Sequence, residues 1–202
     1  DSIKIIDALK VSSNNVFMEL IVNNYGDNPQ RYLDRLYGTG LFTSFDFDID
    51  GLATPALPTY GNPNSWSAPT LPNIAIGYSV TLTPLHLVTL YGGIANDGMM
   101  MRPYLVEGFM KDGKVCNGMK AGNTGKGVLN ASLCSKETAE EIRRGLATVT
   151  KKGGTGEAMS SAKCSSIGKT GTARILHNEE INGKIVPVYQ GKNGTQHQAT
   201  FI

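Results

Sequence analysis

Two short segments of this 202-residue chain carry side chains suited to acyl transfer through a serine hydroxyl. Ser12-Ser13-Asn14 supplies hydroxyls and an amide near the start, and Lys169-Thr170-Gly171-Thr172 supplies an amine and two hydroxyls near the end. Such chemistry needs a base for the attacking hydroxyl, donors for the developing oxyanion, and a group that passes a proton to the leaving amine. Hydroxyls, an amide and a lysine are sufficient for these tasks.

The lysine segment is expected to lie on a β-strand, where side chains alternate between two faces. Lys169 and Gly171 then face one way, while Thr170 and Thr172 face the other. Gly171 keeps the strand surface low beside whatever lies along it. A peptide substrate would pair with this strand and place its terminal carboxylate near the threonine hydroxyls and the lysine charge.

The functional interpretation of the serine triplet depends on the segments around it. On a turn between two helices, Ser12 would present its hydroxyl to a cleft and Asn14 would turn its amide to the same cleft. Taken alone, Ser13-Asn14-Asn15 also makes an ordinary helix cap, and the lysine segment also makes an ordinary strand edge. The order of the two segments favours the functional interpretation, because a long helical region separates them and Gly168 leads into the strand.

Composition restricts the possible partners. A hydrophobic content of 40% and a charged content of 18% are typical of one globular domain, and a net charge of +2 predicts no binding of nucleic acid or of an anionic membrane. No apolar run reaches the length that spans a bilayer, and no signal peptide is recognisable at the start. Any membrane anchor is therefore expected outside this sequence.

The cysteines and histidines do not form a recognisable ligand pattern. Cys116, Cys134 and Cys164 are not spaced as a C-x-x-C pair, so neither a disulfide framework nor a zinc site is indicated, although a Cys116–Cys134 bridge is permitted in an oxidising compartment. His86, His177 and His197 are isolated from one another. We expect no metal and no cofactor.

The apolar pattern predicts an α+β order, with helices first, antiparallel strands last and no βαβ repeat. A long ordered loop, Gly40 to Asn73, is expected to interrupt the helices, and Thr83 and Ser135 are the expected N-caps of two of them. Helices are expected on both sides of the Ser12 turn, from Pro29 to Leu36, from Pro84 to Asn96 with Leu87, Val88, Leu90, Tyr91 and Ile94 buried, and from Lys136 to Thr150. Strands are expected at 104–106 and 114–115 as a hairpin, from Lys169 to Leu176, from Lys184 to Tyr189, and from Ala199 to Ile202 next to the Lys169 strand.

These segments together resemble the transpeptidase domain of class B penicillin-binding proteins. The likeness extends over essentially the whole chain and is closest to the septal, cell-division type of Bacteroidetes-like bacteria. His86 stands where that family usually has glutamine. The matching segments are Ala8-Leu9-Lys10-Val11-Ser12-Ser13-Asn14-Asn15-Val16, Ile76-Gly77-Tyr78 through Thr83-Pro84-Leu85-His86-Leu87, Ile94-Ala95-Asn96-Asp97-Gly98, Arg102-Pro103, Gly154-Thr155-Gly156 and Gly168-Lys169-Thr170-Gly171-Thr172-Ala173.

The resemblance implies a helical lobe packed on an antiparallel sheet, incomplete in this chain, and one partial transpeptidase domain over residues 1–202. It implies a peptidoglycan D,D-transpeptidase at the periplasmic face of the inner membrane. Its partners would be D-Ala-D-Ala stem peptides, β-lactams and cell-division proteins.

The same resemblance implies a role for each candidate residue. Ser12 would relay a proton, and Asn14 would hold the catalytic lysine and the substrate amide. Lys169 would set the electrostatics of the cleft. Thr170 and Thr172 would bind the substrate carboxylate beside Gly171, and the N–H of Thr172 would form half of the oxyanion hole.

The family's nucleophile motif, Ser-x-x-Lys, does not occur upstream of Ser12, where the resemblance places it. Ser160-Ser161-Ala162-Lys163 matches the pattern literally but follows the triplet instead of preceding it, so we interpret it as a polar turn. The chain is therefore expected to be a truncated piece without its nucleophile and to be inactive alone.

Two alternatives remain at this stage. One is a hydrolase of the same fold, a class D-like β-lactamase or a D,D-carboxypeptidase, and Tyr60-Gly61-Asn62 imitates a β-lactamase motif, although its place in the long loop indicates coincidence. The other is the penicillin-sensing domain of a membrane receptor. A parent sequence with one membrane helix would favour the transpeptidase, and one with several would favour the sensor.

Overall fold

The computed structural model of the protein describes residues 3–45, 50–106, 110–115, 127–161, 163–191 and 194–202. The chain divides into two compact units, Asp1–Ser12 with Gly145–Ile202 and Ser13–Arg144. The first unit joins the two ends of the chain, and the second contains its middle. Both serine-triplet and lysine segments lie in described residues.

The regular elements follow the predicted α+β order. The described strands form two-stranded antiparallel pairs: Met100–Met101 with Val128–Asn130, Met110–Lys111 with Lys114–Val115, Thr170–Arg174 with His197–Phe201, His177–Ile181 with Lys184–Val188, and Gln190–Gly191 with Gly194–Thr195. The helices are α1 Ile5–Lys10, α2 Asn14–Tyr25, α3 Pro29–Gly38, α4 Thr70–Ala75, α5 Pro84–Ala95 and α6 Lys136–Val149. The strands are β1 Met100–Met101, β2 Met110–Lys111, β3 Lys114–Val115, β4 Val128–Asn130, β5 Thr170–Arg174, β6 His177–Ile181, β7 Lys184–Val188, β8 Gln190–Gly191, β9 Gly194–Thr195 and β10 His197–Phe201.

The turn between α1 and α2 is confirmed where the sequence predicts it. Ser12 adopts the left-handed region with φ 54°, and its N–H donates to Leu9 O at 3.2 Å. This conformation ends the helical backbone of α1, and α2 starts only at Asn14.

The two predicted helix caps, Thr83 and Ser135, are also confirmed, and Asn28, which was not predicted as a cap, caps α3. The Asn28 side chain accepts from Arg31 N before Pro29 opens α3, and the Thr83 side chain accepts from His86 N before Pro84 opens α5. Ser135 Oγ accepts from Thr138 N at 3.2 Å at the start of α6. Each cap satisfies an N–H that has no partner within its helix.

The prediction of the buried face of α5 is wrong. The residues that α5 buries fully are His86, Thr89 and Gly93, whereas Leu87, Leu90, Tyr91 and Ile94 are only partly buried and Val88 is 58% exposed. The physical reason is close packing. A Cβ added at Gly93 would lie 3.1 Å from atoms of both Met100 and Leu133. The face of α5 that contains Gly93 is therefore the one that contacts these neighbours.

The long loop is confirmed over most of its length. Its end was predicted incorrectly, because α4 begins at Thr70 and includes Asn73. His86 holds the start of the loop. Its ring stacks on Phe45 with centroids 4.2 Å apart, and its Nε2 lies 3.1 Å from Thr43 O. Phe47, which was assigned to the same loop, lies outside the described residues.

Two strand predictions need correction. The hairpin around Asp112 is confirmed, but its first strand is β2 rather than residues 104–106. The polar stretch after Leu176 was not expected to be regular, yet it forms β6, with His177 opposite Val188 and Ile181 opposite Lys184. Cross-strand pairing with the apolar β7 accounts for this strand in spite of its two glutamates.

The lysine strand and the last strand are neighbours, as predicted. In the β5–β10 pair, Thr170 faces Phe201 and Arg174 faces His197. The ladder continues one residue beyond both strands, because Lys169 N donates to Ile202 O at 2.7 Å and Ile202 N donates to Lys169 O at 3.2 Å. Both backbone polar groups of Lys169 are therefore paired with Ile202.

Candidate active site

Lys169 and Ser12 meet in the unit that joins the chain ends. Lys169 Nζ donates to Ser12 Oγ at 2.6 Å and to Thr170 O at 2.8 Å. These contacts use two of the three hydrogens of an ammonium group, which leaves one for a ligand. The structure thus brings together two predicted site residues that are 157 positions apart.

The surroundings of Lys169 alter its acidity. The residue is half-buried, and burial lowers the pKa of its amine below the usual lysine value because the charged form loses solvation. A lower pKa brings the amine closer to exchanging a proton at physiological pH. At 2.6 Å from Ser12 Oγ, it is placed to exchange that proton with the serine hydroxyl.

Thr170 contacts a residue that the sequence analysis did not assign to the site. Its Oγ1 lies 2.6 Å from Thr155 Oγ1, and the N–H of Thr155 donates to Lys10 O at 3.2 Å. The signal in the sequence was the pair of glycines that flank Thr155, since glycine permits close backbone approach. That signal indicates a tight loop without indicating where the loop packs.

Gly171 and Thr172 continue the strand as expected. A Cβ added at Gly171 would lie 2.5 Å from Oγ1 of Thr200, its partner on β10, so the low surface that was predicted beside Gly171 is the space that Thr200 fills. Thr172 is exposed. Its role as a carboxylate and oxyanion ligand stays a prediction.

Gly168 explains why a glycine must precede the lysine. A Cβ at this position would collide with the carbonyl oxygen of Ile202 and would lie 2.5 Å from Cζ of Phe201. Only the absence of a side chain lets the end of β10 lie against the start of the lysine segment. The glycine thereby supports the backbone pairing that fixes Lys169.

Asn14 is the first residue of α2 and is exposed. It belongs to the compact unit Ser13–Arg144, whereas Ser12 and Lys169 belong to the other. Its proposed contact with a catalytic lysine and with the substrate amide stays a prediction.

The literal Ser-x-x-Lys match near Ser160 does not lie on a regular α-helix. Ser160 is extended, with φ −66° and ψ 138°, after the short 3₁₀ helix Glu157–Met159. Ser161 Oγ instead accepts from Lys163 N at 3.1 Å, which is a local turn contact. A second literal match, Ser166 to Lys169, was missed, but Ser166 Oγ donates to Met159 O at 3.0 Å while Lys169 Nζ bonds Ser12.

The histidine, cysteine and acidic side chains of the described residues stay apart from one another as ligand groups. Within the described ranges, no three histidine, cysteine or acidic side chains come together as a metal-binding group. Cys116 lies outside the described residues, so its bridge to Cys134 stays untested. No described helix is long and apolar enough to cross a membrane.

Comparison with known proteins places these motifs in a family. The model of the penicillin-binding protein transpeptidase domain matches residues 2–186, which include Ser12, Asn14 and the lysine segment. The chain therefore belongs to the penicillin-binding protein transpeptidase family. The fold and the resemblance inferred from the sequence are confirmed.

Individual relatives agree with this assignment. Penicillin-binding protein PbpB of Mycobacterium tuberculosis is 27% identical over 156 residues, which cover 74% of this chain and 22% of the relative. PbpB of Mycolicibacterium smegmatis is 26% identical over 172 residues, which cover 82% of this chain and 25% of the relative. The chain thus spans about a quarter of the length of the curated relatives that it matches.

Solved structures show the same fold. The apo form of penicillin-binding protein 3 from M. tuberculosis has a TM-score of 0.73 and 24% identity, covering 98% of this chain and 41% of that one. The same protein complexed with ampicillin has a TM-score of 0.69 and 26% identity, covering 86% of this chain and 37% of that one.

Proposed function

We propose that this chain is part of a peptidoglycan D,D-transpeptidase that works through a serine acyl-enzyme. The observation that carries the proposal is the 2.6 Å contact between Lys169 Nζ and Ser12 Oγ. A half-buried amine whose pKa is lowered, bonded to a serine on a turn, is suited to proton relay. Membership of the penicillin-binding transpeptidase family supports the same reaction class.

The nucleophile is supplied by sequence outside these 202 residues. Two facts support this proposal: the chain spans only about a quarter of its relatives, and no Ser-x-x-Lys precedes Ser12. That serine hydroxyl attacks the carbonyl between the two D-alanines of a stem peptide. The C–N bond breaks, and the leaving D-alanine takes a proton through Ser12.

The acyl group is then passed to an amine of a neighbouring stem peptide, and the nucleophile regains its proton. Lys169 provides positive charge beside Ser12 and the substrate carboxylate, which Thr170 and Thr172 hold through their hydroxyls. Asn14 holds the lysine of the nucleophile motif. The N–H of Thr172 stabilises the oxyanion.

The cellular setting follows from the same proposal. The substrates are peptidoglycan stem peptides, so the domain acts outside the cytoplasm and reaches the membrane through an anchor elsewhere in the protein. β-Lactams imitate the substrate and acylate the same serine. The protein is of the septal type, and its protein partners belong to cell division.

Covalent labelling tests the proposal. This 202-residue chain, incubated with benzylpenicillin, is expected to show no adduct by intact mass spectrometry, because no Ser-x-x-Lys nucleophile motif precedes Ser12 in this sequence. The full-length protein that contains it is expected to gain one penicillin per molecule. Ser160→Ala in the full-length protein serves as the control and should be labelled normally.

Each other outcome contradicts a specific part. A full-length protein that is not labelled would refute the transpeptidase assignment. An adduct on Ser160 would make the literal Ser-x-x-Lys match the nucleophile. An adduct on Ser12 would replace its role in proton relay by a role in attack.

A further inference from the structure

We propose that Thr155 is a positioning residue whose hydroxyl donates to Thr170 Oγ1 and thereby directs the Thr170 hydroxyl proton toward a ligand carboxylate. The inference rests on the proposed function, and it adds a residue to which no role has been given. The two hydroxyl oxygens are 2.6 Å apart. At that distance, a strong hydrogen bond between hydroxyls is formed.

The direction of this bond decides what Thr170 can do. A threonine hydroxyl has one proton to donate and two lone pairs that accept, whereas a carboxylate only accepts. If Thr170 donated to Thr155, its proton would be unavailable to the ligand. If Thr155 donates to Thr170, the Thr170 proton is free to bind the carboxylate, and the two bonds polarise each other in the same direction.

The backbone around Thr155 is held firmly enough to fix its hydroxyl. Gly154 N donates to Lys151 O at 2.8 Å and Gly156 N donates to Val149 O at 2.9 Å, on either side of Thr155. A Cβ at Gly154 would collide with the Val149 carbonyl, so the loop packs directly against the end of α6. Thr155 itself is exposed, and its side chain therefore lies where a ligand and solvent have access.

A second contact ties this loop to the turn that carries Ser12. The N–H of Thr155 donates to the carbonyl of Lys10, the last residue of α1, at 3.2 Å. Ser12 follows two residues later and accepts from Lys169. The loop thus contacts both segments that supply the proposed site, one through its backbone and the other through its hydroxyl.

The experiment compares a carboxylate with its ester. Second-order acylation rate constants of the full-length protein are measured with benzylpenicillin and with benzylpenicillin methyl ester, for the wild type, Thr155→Val and Thr155→Ser. Thr155→Val keeps the shape and removes the hydroxyl, so the Thr170 hydroxyl is no longer held in the orientation that donates to the carboxylate. The rate with the acid is expected to fall about tenfold, the upper range for one ordinary hydrogen bond. With the ester, the fall is expected to be within about twofold, because no full negative charge is bound.

Matched variants separate positioning from general structural damage. Thr155→Ser restores the hydroxyl and is expected to restore the ratio of acid to ester rates. Thr150→Val is the structural control, since Thr150 Oγ1 is buried and donates to Ser166 O at 2.7 Å in the same unit. Its effect should be equal for the two probes. If Thr155→Val does not fold, Thr155→Ala removes the same hydroxyl and is judged by the same ratio.

The results distinguish this inference from the proposed function. Equal losses with acid and ester in Thr155→Val, or no loss with either, would overturn the role of Thr155 while leaving the transpeptidase assignment intact. A wild-type protein that benzylpenicillin does not acylate, or one whose acylation is unaffected by Lys169→Ala, would overturn the proposed function itself.

Discussion

Lys169 and His86 are titratable side chains in different compact units. Both are removed from solvent to some degree, but they differ in how many hydrogen bonds they can still form. Each reaches a distant segment, Lys169 the hydroxyl of Ser12 and His86 the carbonyl of Thr43. Burial lowers the pKa of both groups. Their polar contacts, however, leave them very different capacities for further bonding.

Both ring nitrogens of His86 are already hydrogen-bonded. Its Nε2 must donate, because the Thr43 carbonyl can only accept, so Nδ1 is the acceptor and takes the hydroxyl proton of Thr83 at 2.7 Å. The side chain is fully buried and stacks on Phe45. Lys169 is only half-buried and retains one donor. A buried titratable group thus indicates a site when its hydrogen bonds are incomplete and solvent reaches it, and an anchor when they are complete.

Lys169→Ala should produce the largest effect. In the full-length protein we expect acylation by benzylpenicillin to slow by roughly 10²-fold or more, as for loss of one preorganised charge in an active site. The free energy of unfolding should change by no more than about 0.5 kcal/mol, because the variant also relieves the desolvation of a half-buried amine. Lys163→Ala, at a nearby exposed lysine, is the control. If the Lys169→Ala protein acylates normally, or is inactive only because it unfolds, Lys169 would not differ from His86 in having a role in the site.

His86→Ala should show the reverse pattern. We expect the free energy of unfolding to fall by about 3 kcal/mol, since a buried ring is lost and the Thr43 carbonyl loses its donor. His86→Gln, which restores the residue usual in the resembling family, should cost much less because its amide both donates and accepts. Urea unfolding of the three proteins measures both changes. A His86→Ala variant of unchanged stability would show that the ring does not hold the loop.

The smallest expected effect is the contribution of His86 to the pH dependence of the free energy of unfolding. Its folded pKa lies below the ordinary value, so at pH values between the two the unfolded chain holds a proton that the folded chain lacks. The free energy of unfolding therefore decreases as pH falls through this window. Unfolding measured at pH 7.5 and at successively lower pH should show a steeper decrease for the wild type than for His86→Gln. Parallel curves would mean that the folded and unfolded states bind the same number of protons at His86, so that its folded pKa is not lowered.

Local signals predicted the fold well wherever they act within a few residues. The Thr83 and Ser135 caps, the Pro29 helix start and the turn at Ser12 were all identified because one residue type satisfies one local need. The buried face of α5 was not identified. Whether Val88 or Gly93 lies on that face depends on which other segment packs against the helix. That information lies in Met100 and Leu133, which periodicity within α5 cannot reveal.

The site was predicted to a similar extent. Ser12, Lys169 and Thr170 were recognised from motifs because their residue types indicate the chemistry. The structure adds the 2.6 Å contact between Ser12 and Lys169. Thr155 was overlooked as a participant because its partner is 15 residues away and on another element. The strand β6 was overlooked for the same reason, since its polar sequence becomes regular only through pairing with β7.

The left-handed backbone of Ser12 limits how this enzyme could evolve at that position. Glycine and asparagine adopt a φ of 54° readily but carry no hydroxyl, whereas threonine keeps the hydroxyl and is β-branched, which makes this conformation a strained one. Every single substitution among these loses either the hydroxyl that accepts from Lys169 or the favourable turn. Variation is therefore expected in the residues around Ser12, such as those of the strand whose Lys169 contacts it, before it is accepted at the serine itself.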